Sequence, residues 1–411
     1  MFQTIDSTSL RYRVSATFLL LLLLLAALPL HAQKIRPDAF PPVFDTSVAK
    51  APLMATTLEQ MASWDRYPTH GVYQAMMQRF VDSFPTLCHL DTIGTSVQGR
   101  PILSMVISTA PPSDTTVPEF FYSAAIHGDE LTGFYLMLRL CDTLLHAYSR
   151  SDNITRLLDS VRIYINPLAN PDGTYRSDDN TIADAWRYNA NAVDLNRNYP
   201  DPFGTDPLDS IQPENIAMID YVAHHRFLLG ATLHGGSEVF NYPWDSFTSF
   251  ERQNEHSQWW EVVGKRFVDT CRKFDSTLFA DVCEEGYITG GDWYVIRNGR
   301  QDYFNYTYNL REATLEVSTT KRLPTSRLHH YWQALSHSLI DYISRIFALS
   351  PTPEGIIAPA TSIPCKVFPN PTRGPVTIET PTATYRYDLS NQPSGVHIVT
   401  IDGFTFKIVK M

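Results

Sequence analysis

The stretch FYSAAIHGDELTG, Phe121 to Gly133, is a run of small and apolar residues that stops at His127-Gly128-Asp129-Glu130. His127 and Glu130 are three positions apart, so a single turn of chain can aim both at one point. Zinc hydrolysis requires three ligands drawn from such side chains and one open position for water. His234, in ATLHGGSEVFNYPWD, is the best third candidate: it ends an apolar run, and two glycines after it leave space beside the imidazole. A His-x-x-Glu pair alone is weak, because the pattern arises often by chance. In isolation the four residues are better read as a hydrogen-bonded histidine and solvated acids. The rest of the chain has to decide.

The elements that must position these groups alternate. VYQAMMQRFVDSF (Val72 to Phe84) has apolar residues at helical spacing, and GFYLMLRLCDTLLHAY repeats it. Between and after these helices stand short β-like runs: ILSMVIS, EFFYSAAI, VRIYINP, FLLGATLHGG and ATLEVS. Strands alternating with helices over residues 57–348 predict an α/β domain, a mixed, largely parallel twisted sheet with helices on both faces. Ligands in such sheets bind beyond the strand ends at a switch in strand order. His127 and His234 both follow apolar runs, where such a site forms.

Four further segments occur in order: NPDG (Asn170 to Gly173), WRYNANAVDLNRNYP (Trp186 to Pro200), LHGGSEVFNYPWD, and GGDWYVIRNGRQDYFNYTYNLREATLEVS. With HGDE they resemble the zinc metallocarboxypeptidases, specifically the regulatory branch of carboxypeptidases N, E, D and M. The resemblance covers roughly residues 57–348, and the ordered set is far more specific than any member. It implies one Zn²⁺ held by His127, Glu130 and His234, and a fold like that of zinc carboxypeptidases. Arg187 matches the arginine that polarises the scissile carbonyl and steadies the oxyanion. Asn196 and Arg197, in DLNRN, match the pair that grips the substrate's terminal carboxylate, a planar anion suited to a guanidinium fork. Glu316, in TLEVS, matches the general base that takes a proton from zinc-activated water and passes it to the leaving amine. Tyr294, in DWYV, matches the mobile tyrosine that closes over the substrate.

In the same branch an Asp after NYP and a Gln before Asp line the pocket for C-terminal Lys or Arg, and Asp245 and Gln301 fill those positions. The chain departs from the branch at Arg300, where an apolar Met is usual, and Arg297 is close by. Either cation, if it pointed inward, would repel a basic substrate or neutralise Asp245. The resemblance therefore implies hydrolysis of the C-terminal residue of peptides or proteins, with Lys or Arg as the expected residue. Two alternatives stand beside it. One is a cell-wall carboxypeptidase of the same fold acting on muropeptides. The other is a non-catalytic module that binds C-termini, which would lack a ligand or the base, whereas every one is present here.

The ends of the chain concern export. Arg11 and Arg13 precede the apolar run Phe18 to Leu28, and Leu30-His31-Ala32 offers a cleavage site, so residues 1–32 read as a signal peptide. Residues 33–56 form an N-terminal extension, and 349–364 a Pro-rich linker. Residues 365–411 read as a small β domain, with a hairpin expected around Asp402-Gly403 in HIVTIDGFTFKIV. VFPNPTRGPVTIET and YDLSNQPSGVHIVTIDGFTFKIVK resemble the sorting domain of type IX secretion substrates. That resemblance implies an export machinery as partner and a secreted or surface protein of a Gram-negative bacterium. No transmembrane span is expected in the mature chain, and a formal charge of −10 argues against nucleic acid as partner. Five cysteines are too few and too scattered for a disulfide framework. Cys88 and Cys141 read as core residues, while Cys271 and Cys283 could bridge. His224-His225 and His329-His330 read as surface or helix-end histidines.

Overall fold

The computed structural model describes residues 53–349, 366–368, 374–379, 384–401 and 404–410. The expected signal peptide, nearly all of the N-terminal extension and nearly all of the linker lie outside the described residues. An eight-stranded mixed sheet forms the centre. Its strands are β1 (Cys88–Thr95), β2 (Pro101–Ile107), β3 (Glu119–Ala124), β4 (Arg162–Asn166), β5 (Phe227–His234), β6 (Ser237–Tyr242), β7 (Tyr287–Thr289) and β8 (Arg311–Ser318). They lie in the order β1-β2-β4-β3-β5-β8-β6-β7. The pairs β4/β3, β3/β5, β5/β8 and β6/β7 are parallel, and the other three are antiparallel.

Period-two alternation divides the sheet's side chains between two layers. Phe120, Tyr122 and Ala124 of β3 face one apolar cluster and Phe121 the other. The first cluster is covered by helices α1 (His70–Ser83), α2 (Leu131–Ala147), α3 (Asp152–Ser160), α5 (Ser257–Phe274) and α7 (Leu328–Ser344). The second is covered by α4 (Pro213–Ala223) and α6 (Arg300–Tyr308). Cys88 and Cys141 are buried in the core as expected. Cys271 and Cys283 are both free thiols: the first lies 3.1 Å from Ser338 Oγ, the second 3.6 Å from the Tyr287 carbonyl.

The connections that follow β3 and β5 leave in opposite directions, β3 toward β4 and β5 toward β6. These two neighbours therefore form the switch point, and the chain opens a cavity beyond their C-terminal ends. On β8 the alternation sends Ala313, Leu315 and Val317 into the first apolar cluster. It leaves Glu312, Thr314 and Glu316 in one row on the opposite face. Thr314 and Glu316 of that row line the site.

Beyond the linker, Lys366–Phe368, Pro375–Glu379 and Thr384–Asp388 form a three-stranded antiparallel sheet. Gly395–Ile401 and Phe404–Lys410 pair antiparallel with Ile401 opposite Phe404, which is the hairpin the sequence predicts around Asp402-Gly403. No helix among the described residues is long and apolar enough to cross a membrane.

Candidate metal centre and substrate cavity

His127 lies in the turn after β3, two residues beyond Ala125, whose backbone is left-handed at φ 54°. Glu130 is the N-cap of α2, and its N–H donates to the His127 carbonyl at 3.1 Å, closing the turn that aims both side chains together. Gly128 of this turn abuts Gly173 of the NPDG segment: a Cβ on Gly128 would lie 2.3 Å from the Gly173 carbonyl carbon. Asn170 donates to the Ile126 carbonyl and Thr174 to the Gly128 carbonyl, so NPDG works as the scaffold under the ligand turn. Asp172 anchors that scaffold, accepting from Ser96 Oγ, Gln98 N and Arg100 at 2.7–2.8 Å.

The three candidate ligands meet. Glu130 Oε2 is 2.9 Å from Nδ1 of both His127 and His234, and the two Nδ1 atoms are 3.1 Å apart. All three residues are buried, and they form the cluster among the described residues able to hold a metal ion. Tetrahedral zinc with bonds near ~2.05 Å holds its ligand atoms roughly 3.3 Å apart, within a few tenths of this spacing. Burial pushes His234 down to about 4, which keeps its imidazole neutral, the form that binds metal. His127 carries its other ring nitrogen 3.1 Å from Asp194 Oδ1, the outer carboxylate that fixes a ligand imidazole. The donor set, its spacing and this outer partner fit zinc.

Asp194 was not among the residues singled out from sequence, although it opens DLNRN. It accepts Arg187 Nε at 2.8 Å and the Asn196 N–H at 2.9 Å. Burial would raise its pKa, but the hydrogen bond and charge of His127 and the charge of Arg187 hold it well below the usual range. One carboxylate thus joins a candidate metal ligand, Arg187 and the turn that carries Asn196 and Arg197. Lys321 was missed as well. Its ammonium is 3.2 Å from Glu130 Oε1 and 3.3 Å from Asp129, giving Asp129 a partner that the sequence did not suggest.

His127, Glu130, Arg187, Asn196, Arg197, His234, Asp245, Tyr294 and Glu316 all line one cavity of about 360 Å³. Glu316 stands beside His234 in the β5/β8 register. Its Oε2 is buried and makes no hydrogen bond. Burial and the charge of Glu130 push its carboxyl well above the usual range; a divalent cation on the ligand triad acts in the opposite sense. Burial pushes Tyr294 up to about 12, so it stays a neutral phenol. Asn196 Oδ1 accepts from the Arg300 N–H at 2.9 Å, leaving its side-chain Nδ2 to donate elsewhere.

Asp245 lies deep in the cavity, 3% exposed. Gln301 stands behind it, donating Nε2 to Asp245 Oδ1 at 2.7 Å and to Asn241 Oδ1 at 3.1 Å. Arg300 and Arg297 do not enter the cavity. Arg300 forms a fork with Glu312 at 2.7 and 2.9 Å, both side chains fully buried, and Arg297 donates outward to Thr205 Oγ1. Neither cation neutralises Asp245. Of the histidine pairs, His224 caps the end of α4, and His329 and His330 lie in the first turn of α7.

Comparison with known proteins agrees with this geometry. Residues 73–338 match the zinc carboxypeptidase family model. Mouse carboxypeptidase M is 33% identical over 296 residues, covering 68% of this chain and 66% of that protein. Rat carboxypeptidase D is 31% identical over 286 residues, 66% of this chain but 20% of that protein, so the chain spans less than two thirds of these relatives. Among solved structures, thrombin activatable fibrinolysis inhibitor superposes with a TM-score of 0.60 at 16% identity, covering 70% of this chain and 76% of that one. Carboxypeptidase A from Helicoverpa armigera gives 0.58 at 20% identity, over 70% and 75%. Likeness at this identity concerns the fold alone; with the family match and the site's geometry beside it, the chain belongs to the zinc carboxypeptidase family.

Proposed function

We propose that this protein removes a single C-terminal residue, Lys or Arg, from peptides or proteins. One observation carries the reading: Asp245 is a buried carboxylate in the cavity with no ion-pair partner among the described residues. Burial and the neighbouring charge of Asp302 push its carboxyl well above the usual range, and a cation paired with it would offset both. A lysine ammonium or an arginine guanidinium supplies one, with Asp245 and the Asn241 side chain in the cavity lining as its acceptors.

Zinc, when bound, supplies Lewis-acid polarisation of the scissile carbonyl and of the attacking water. The chain's own residues do the rest. Arg197 and Asn196 fix the terminal carboxylate, which restricts cleavage to the last peptide bond. Arg187 presents a fixed cation to the carbonyl oxygen as charge builds there. Glu316, with one oxygen free, accepts the water's proton and returns it to the leaving amine. Tyr294 shields the reacting bond from bulk water. The leader-like run after Arg11 and Arg13 and the β-rich C-terminal segment support action outside the cell, through a sorting pathway of the type IX kind.

The test is hydrolysis of matched peptides ending in Lys, Arg, Phe or Glu. The expected order places Lys and Arg well above the others. Asp245→Ala should reduce kcat/KM for the basic peptides by about 100-fold relative to Phe, since removing one partner of a buried charge pair costs about 3 kcal/mol. Equal loss for every peptide would refute the pocket assignment.

A further inference from the structure

Asp245 can act as a selector only if its carboxylate is held in one place, and two residues outside the cavity lining do that holding. The first is Asp302, 1% exposed at the third position of α6. Its two carboxylate oxygens accept the backbone N–H groups of Asp245 and Ser246, each at 2.8 Å. This is a fork on consecutive amides, and it fixes the peptide plane from which the Asp245 side chain departs. The second is Gly290, which follows β7. A Cβ built on Gly290 would lie 1.8 Å from Asp245 Oδ1, 2.8 Å from its carboxyl carbon and 2.9 Å from Asn241 Oδ1. Real contacts of this kind open to about 3.4 Å, so any side chain here drives the carboxylate off by over an ångström.

We infer that Gly290 and Asp302 are positioning residues that set the preference for a basic C-terminal residue, by fixing where the Asp245 carboxylate stands. The inference rests on the basic-residue reading above. Asp245 is held from several directions while still lining the cavity: Asp302 holds its backbone N–H, and Ile296 N donates to its carbonyl at 3.0 Å. Gln301 donates to the side chain, and Gly290 supplies a wall without atoms to spare. Asp302 is itself a buried acid, pushed up to about 6 by burial, and its two amide contacts are what an anion there requires. A charged contact inside a dry pocket depends steeply on placement, and a shift near 1 Å is worth about 100-fold.

The experiment uses the full chain loaded with zinc and measures kcat/KM for paired peptides ending in Lys and in Phe. Gly290→Ala should lower the Lys/Phe ratio by at least about tenfold, with KM for the Lys peptide rising and kcat little changed. Asp302→Asn retains one of the two acceptors and should lower the ratio less than Asp302→Ala. Turnover of the Phe peptide should stay within about threefold in every variant, because the metal centre and the carboxylate clamp are untouched. If Gly290→Ala does not fold, the isosteric Asp302→Asn carries the test. An unchanged ratio, or parallel loss on both peptides, overturns the inference. Asp245→Ala is the control that separates the two claims. If it collapses the ratio while the other variants do not, only the positioning roles fail; if it does not, the basic-residue reading fails first.

Discussion

Arg300 is the position where the chain departs from its branch, and replacing it with the usual residue gives a quantitative test. Its guanidinium binds Glu312 through two hydrogen bonds of 2.7 and 2.9 Å, and both side chains are 0% exposed. The cation also lies 5.0 Å from the Phe304 ring centre and 5.3 Å from that of Phe121. Arg300→Met would strand a carboxylate where water cannot reach it. Breaking one side of such a pair costs about 3–5 kcal/mol, whereas replacing both members by apolar groups is close to neutral. At about 2–4 °C per kcal/mol for a domain approaching this size, the single variant should melt on the order of 10 °C lower. Arg300→Met/Glu312→Leu should recover most of that loss. Scanning calorimetry on the wild type, both single variants and the double variant closes the cycle. Because Arg300 lies outside the cavity, the Lys/Phe ratio of the folded Arg300→Met protein should match wild type. A single variant within about 1 kcal/mol of wild type, or a double variant no better than the single, would refute the assignment of the pair as a sealed ionic unit.

Removing the metal with a chelator should abolish hydrolysis of every peptide, and zinc should restore it; chelator-resistant turnover would exclude the His127, Glu130 and His234 centre. Glu316→Gln removes the proton acceptor while leaving the fold, so kcat should fall by at least about 100-fold with zinc content unchanged; near-wild-type kcat would rule it out as the base. Asp281, which does not line the cavity, provides a pH test of stability. Burial and the charge of Glu238 push its carboxyl from 3.8 up to about 6. Between those values the folded chain keeps a proton that the unfolded chain has lost. Stability is therefore fullest below about pH 4 and is lost as pH rises through 6, by at most about 3 kcal/mol. Asp281→Asn should flatten that fall, and a wild-type-minus-variant difference constant from pH 4 to 7 would contradict the shift.

The helices and strands that were legible in the sequence are those whose periodicity is set by burial alone. Leu131–Ala147 and Glu119–Ala124 read correctly because one face of each meets only apolar neighbours. Ser237–Tyr242 did not read as a strand, because Glu238 interrupts its apolar pattern. In the fold that acid is buried and satisfied by Tyr331 Oη at 2.7 Å and Phe279 N at 3.0 Å, partners remote in sequence. Helix Arg300–Tyr308 was hidden for a similar reason: its first turn is polar and fully enclosed, paired with Glu312, Asn241 and the Asp245 backbone. The site was legible as a set of motifs, but its wiring was not. Asp194 and Lys321 act through groups 67 and 192 positions away, and only the assembled turn after β3 brings them together.

That wiring bears on why both ends of the substrate's last residue matter. The charged groups lining the cavity balance: Glu130, Asp245 and Glu316 against Arg187, Arg197 and Lys321. Two more acids stand directly behind the wall, Asp129 against Lys321 and Asp194 against Arg187 and His127. Their combined charge matches one divalent cation on the ligand triad, which gives Asp129 an electrostatic role although it binds no metal itself. On the proposed reading, a peptide then enters a neutral cavity carrying its terminal carboxylate. A neutral last residue would bring that negative charge alone and leave Asp245 without a counter-ion. A lysine or arginine side chain brings its own opposite charge and places the two ions where the cavity is already divided, the carboxylate at Asn196 and Arg197 and the cation at Asp245. Selectivity then follows from desolvation as much as from attraction, since an unpaired ion in a low-dielectric cavity is the costlier state.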